Sequence, residues 1–128
     1  MLTLEQVTDA LQRSWSAYTA FSAEEWSPQN PARGQCVVTA LVIQDIFGGE
    51  LQKLKTRFKD KSESHYRNIL PDDTTVDATR SQYPPEQLFT VSTINFNGYP
   101  SLREKLFSEA NTESRYKLLR THVLKALS

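Results

Sequence analysis

The segment "CVVTALVIQDIFGG", residues 36–49, constrains the fold more than any other. Val37, Val38, Ala40, Leu41, Val42, Ile43, Ile46 and Phe47 are interrupted only by Thr39, Gln44 and Asp45. A helix with one polar stripe covers a core from one side, whereas a segment apolar on most sides has to be enclosed. The valines and isoleucines also suit a strand, and periodicity alone does not separate the two. The length of the run and the Gly48-Gly49 stop favour a helix. The pattern therefore predicts a central buried helix from Cys36 to Phe47, with the remaining elements packed around it. Its first residue is the only cysteine of the chain.

The chain has 128 residues, enough for one domain, 1–128, that buries a core without staples. Fifteen basic and fifteen acidic side chains cancel, which gives no reason to expect a nucleic-acid or anionic-membrane partner. One cysteine excludes an intrachain disulfide and a CxxC pair. Two distant histidines and that cysteine form no ligand cluster, so no metal is expected. There is no glycine-rich phosphate loop, and no cofactor is expected. The start, "MLTLEQVTDALQRSW", is amphipathic and carries acids, unlike a signal peptide. No apolar run approaches the roughly 20 residues of a membrane span. These features describe a soluble, cytoplasmic protein with a reduced thiol.

Elsewhere the pattern alternates between helical and extended. Thr3 and Gln6 fit a capping box, and Leu4, Val7, Leu11 and Trp15 recur at helical spacing, which predicts a first helix over about 4–18. A polar loop, "SAEEWSPQNPARGQ", follows. "ELQKLKTRF" alternates as a strand, and "KDKSE" is a charged turn. "SHYRNIL", "PDDT" and "TVDATR" form a hairpin. "LFTVSTINF" is a candidate further strand. Ser101 and Glu104 suggest a second capping box, and a last helix from near Asn111 carries Tyr116, Leu119, Val123 and Leu127 on one stripe. The plan is α+β: a buried helix on three or four antiparallel strands, with helices at both ends.

A thiolate is the reactive form of cysteine, and a helix N-terminus favours negative charge. Cys36 stands at such a start. A thiol nucleophile needs a base, and the base needs an orienting group. His65 on one strand of the hairpin and Asp77 on the next supply both, in the order Cys36, His65, Asp77. The hairpin tests the idea. A three-residue loop, Pro71 to Asp73, makes the pairing sum even, so that His65 lies opposite Thr79 with Asp77 diagonal to it on the same face. Diagonal neighbours are about 7–8 Å apart, within reach of a ring side chain. An even loop without a bulge would separate them.

Acyl transfer also needs donors for a developing oxyanion. The Cys36 amide is one, and Gln35, Asn30 and Gln29 offer side-chain amides upstream. Asn30, on the loop that must curl over the cysteine, is favoured by reach. Arg33 is a candidate for a substrate carboxylate or phosphate and equally for a structural ion pair. Trp26 is a candidate pocket wall and equally a lid on the core. Asp77 has a plain alternative as a partner for Arg67 or Arg80, and Cys36 has one as core filler.

The stretches "W-S-P-x-N-P-A-R-G-Q-C", "S-H-Y-x-N" and "V-D-x-T-R-x-Q" resemble the YunG family of small bacterial proteins, over most of the chain from Trp15 to the last helix. That resemblance groups Trp26, Asn30, Arg33, Gly34, Gln35, Cys36, His65, Tyr66, Asn68, Asp77, Thr79 and Arg80, and implies no substrate. More distantly, the order Cys, His, Asp resembles transglutaminase-like and papain-like cysteine enzymes. It implies a small domain of that type, with the cysteine heading a helix on an antiparallel sheet. The expected function is cysteine-dependent acyl transfer or amide and peptide hydrolysis on an unknown small-molecule or peptide substrate. Its rival is a non-catalytic binding or regulatory module on the same fold.

Overall fold

Thr3 opens the first helix with the full capping box: its hydroxyl accepts from the Gln6 amide, and the Gln6 side chain accepts from the Thr3 amide. This helix, α1, spans Leu4–Ser14 and stops short of the expected end near residue 18. Trp15 leaves the helix in an extended conformation, and its indole donates to Thr39 Oγ1 at 2.9 Å. Beyond it, the Thr19 hydroxyl bonds to the Ser16 amide and carbonyl, a local alternative that competes with helix continuation. The structure, a computed structural model, describes all residues from Met1 to Ser128.

The apolar run is helix α2, Cys36–Phe47, and Val38 to Ile43 are all buried. One side of it packs with Val7, Ala10 and Leu11 of α1 and with Leu119 and Val123 of the last helix, α4 (Thr112–Leu127). Another side, through Ala40, meets Tyr66 and the residues Leu102 and Leu106 of α3 (Leu102–Phe107). The helix is enclosed from both directions, as its composition requires.

Four strands form an antiparallel sheet in the order β3-β2-β1-β4: β1 is Glu50–Phe58, β2 Lys61–Ile69, β3 Thr75–Val76 and β4 Thr90–Val91. The turn between β1 and β2 is tighter than the expected "KDKSE". Lys59 and Asp60 alone make it, with φ of 52° and 63°. Two central residues at positive φ match the twist of the flanking strands, so pairing continues through Lys61–Glu63. Between β2 and β3 the Leu70 amide donates to the Thr74 carbonyl at 2.8 Å, closing a three-residue loop in which Asp73 adopts φ 68°. Asn68 pairs with Val76 and Ile69 with Thr75, the even register. The ladder ends at Val76, earlier than expected, and the chain turns into a short 3-10 helix at Arg80–Gln82. No helix is long and apolar enough to cross a membrane.

Candidate active site

Cys36 is held in place by its neighbours in the sequence. Gly34 has φ +76°, and its carbonyl accepts from the Phe21 amide at 2.8 Å. A Cβ at Gly34 would sit 3.0 Å from that amide nitrogen. Gln35 is fully buried, accepting from the Thr19 hydroxyl at 2.7 Å and donating to the Ser16 carbonyl at 3.0 Å. Its side chain is thus turned away from the helix it precedes, and α2 has no side-chain cap. The first-turn amides around Cys36 keep their partial positive charge without a side-chain acceptor.

His65 comes from the middle of β2 and is fully buried. Its Nε2 lies 2.7 Å from Asp77 Oδ2. The register explains this contact: with an even pairing sum, Asp77 continues just past the β3 ladder and reaches back to the ring. Asp77 is bonded neither to Arg67, which donates to Gln52, nor to Arg80, which donates to the carbonyls of residues 83, 84, 85 and 87. With Nε2 engaged, the ring has Nδ1 left, and Nδ1 is buried without a hydrogen-bond partner. Burial is the largest influence on the imidazole and opposes its charge. The hydrogen bond to Asp77 and the proximity of Cys36, with the charges of both, outweigh that burial and raise the pKa to about 9. Tyr83 and Phe89 box the ring at centroid distances of 5.2 and 5.3 Å.

Cys36 is half-buried and opens on a cavity of about 380 Å³. Arg33, Glu63, Gln82, Tyr83 and Arg115 also line it. Arg33 is fully committed: its two Nη atoms meet the Glu63 carboxylate at 2.7 and 2.9 Å, and Nη2 meets Glu25 at 3.0 Å. Those hydrogen bonds to Glu63 hold the guanidinium above its ordinary pKa. Arg33 thus makes an ion pair while still lining the cavity. Burial tends to raise the Glu63 carboxyl, but hydrogen bonds from Arg33 and Tyr83 bring it below its ordinary range.

Two expected donors are occupied elsewhere. Asn30 Nδ2 donates to the Gln82 carbonyl at 3.2 Å, and Gln35 Nε2 to Ser16; neither residue lines the cavity. Trp26 donates to the Pro31 carbonyl at 2.9 Å and stands outside the cavity wall, tying the loop to itself. One side-chain amide in the wall is free. Gln82 is buried, its Oε1 takes Arg33 at 3.3 Å and the Gly34 amide at 3.4 Å, and its Nε2 has no partner. It is the last residue of the stretch "V-D-x-T-R-x-Q", where its spacing from Asp77 was the available signal.

The three quoted stretches thus meet around one thiol, and their family can be stated. Residues 3–128 match the family model described as "YunG protein". The chain belongs to the YunG family. A similar protein, "Uncharacterized protein YunG" of Bacillus subtilis (strain 168), is 38% identical over 117 residues, 91% of this chain and 88% of that one. No solved structure matches. In this YunG-family chain Asn68, of "S-H-Y-x-N", is buried and donates to the Ala40 carbonyl at 2.9 Å, which fastens α2 to β2 and fixes the height of Cys36 against His65.

Proposed function

We propose that this protein is a cysteine-dependent acyl-transfer or amide-hydrolysing enzyme on a papain-like or transglutaminase-like domain. The reading rests on one juxtaposition: a buried imidazole whose Nε2 is held by Asp77, leaving Nδ1 for the half-buried Cys36 at the head of α2. Asp77 selects the tautomer that carries the proton on Nε2. Nδ1 takes the Cys36 proton before substrate arrives, so that an imidazolium stands beside a thiolate. The thiolate attacks a carbonyl carbon, and the carbonyl oxygen becomes an oxyanion between the Cys36 amide and Gln82 Nε2. Collapse of this intermediate expels the leaving amine, which takes the proton from His65, and a thioester on Cys36 remains. Water or a second nucleophile, deprotonated by His65, resolves the thioester.

Alkylation by iodoacetamide tests this in the folded protein near neutral pH. Cys36 should react on the order of tenfold faster or more than in His65→Ala, with Asp77→Asn intermediate. A thiol that reacts only on unfolding, indifferent to both substitutions, would overturn the proposal and leave a binding module.

A further inference from the structure

Three basic and three acidic side chains line the cavity, but they are not matched in pairs. Glu25 and Glu63 are both engaged by Arg33, and Glu109 pairs with Lys105 at 3.5 Å. Two lining cations make no ion pair, Lys53 and Arg115. Arg115 is the telling one. It comes from α4, is 9% exposed, and has one hydrogen bond, from Nη1 to the Thr19 carbonyl at 3.1 Å. Its guanidinium stands 5.8 Å from the Phe21 ring, which also lines the cavity. Burying a guanidinium without a carboxylate is costly. Here burial lowers its pKa, opposed by the nearby Cys36 and Glu109. A planar fork with donors unspent suits a carboxylate.

We propose that Arg115 anchors a carboxylate of the substrate, so that the cavity selects acyl compounds carrying a negative charge close to the reacting carbonyl. This inference rests on the reading of Cys36 as the nucleophile for the word substrate, and on Arg115 alone for the anion site. Lys53 adds a second positive charge at the rim.

Two thiol reagents of nearly equal size test it, because iodoacetate carries the carboxylate and iodoacetamide does not. The ratio of their rates at Cys36 should fall about tenfold in Arg115→Gln, the loss of one charged hydrogen-bond pair, and by less in Arg115→Lys. The ratio cancels any change that Arg115→Gln makes to the thiol itself, and the amide NMR spectrum of the variant reports that the site is still folded. An unchanged ratio would overturn the inference. A second measurement does not use the thiol: succinate is titrated into Cys36→Ala and followed by amide NMR shifts. Saturable shifts at residues 19, 34 and 115, lost in Arg115→Gln, support the anion site, and no saturable shift overturns it. Succinate binding in a protein whose Cys36 resists both reagents would overturn the enzyme reading and keep the anion site.

Discussion

At the scale of single residues the site is a chain of groups, each of which fixes the next. Asp77 fixes His65, and His65 faces the thiol. With its pKa raised to about 9, His65 should remain protonated at pH 7.5. Imidazole resonances followed by NMR should titrate well above the ordinary value of about 6.5, and Asp77→Asn should lower the midpoint by about one unit or more. The sign for stability follows. A pKa raised on folding gives stabilisation that is full below about pH 6.5 and is lost as pH rises through about 9. The urea midpoint should therefore decline across that window, and the decline should be shallower in Asp77→Asn. A midpoint flat from pH 6.5 to 9 in the unaltered protein would contradict the assignment. The pairing of His65 with Asp77 was legible in the sequence because loop length sets strand register, and register is a matter of parity. The free amide of Gln82 was not, since its availability depends on Arg33 and Gly34, 49 and 48 residues away, taking its oxygen.

At the scale of elements, the junction before α2 carries the most demanding geometry. Gly34→Ala should destabilise the protein for two reasons: the positive φ, at about 1–2 kcal/mol, and the 3.0 Å approach to a backbone nitrogen that cannot swing aside. Gly98 is the control, with φ +88° and nothing within 4 Å of an added Cβ. Chemical denaturation should show Gly34→Ala costing more than Gly98→Ala, and equal costs would mean that close approach to Phe21 contributes nothing. Asn68→Ala removes the bond that fastens α2 to β2 and should cost about 1–3 kcal/mol, with slower alkylation of Cys36 as its separate signature. Element type was readable wherever a local signal was strong, as with the capping box of α1 and the glycine stop of α2. Element length was not. Trp15 ends α1 by bonding to Thr39, 24 residues away. The buried face of α4 shows the same limit: Leu119 and Val123 were visible as a stripe, but Arg115 continues that stripe at the same spacing of four and is nearly as buried. A charged residue in line with an apolar stripe was the signal that it served the cavity.

For the whole molecule, enclosure of α2 should set the order of opening. Its residues Val38 and Val42 belong to the cluster shared with α1 and α4, while Ala40 belongs to the one shared with α3 and β2. Exposing α2 to exchange thus requires both clusters to separate, which amounts to global unfolding. The segment from 92 to 100 is different: it has no regular structure, most of it is exposed, and one backbone bond, from the Ser92 amide to the Lys53 carbonyl, ties it to the sheet. Native-state hydrogen exchange should find the Leu41–Ile43 amides opening with the free energy of global unfolding, and residues 92–100 exchanging with little protection. Cys36 lies at the end of the most stable element, while Gln82 and Tyr83 come from a connection between short strands. The thiol is then held rigidly and the opposing wall is freer to admit a ligand. Exchange of the α2 amides at the rate of the 92–100 segment would refute this division, because the thiol would then share the mobility of the wall it faces.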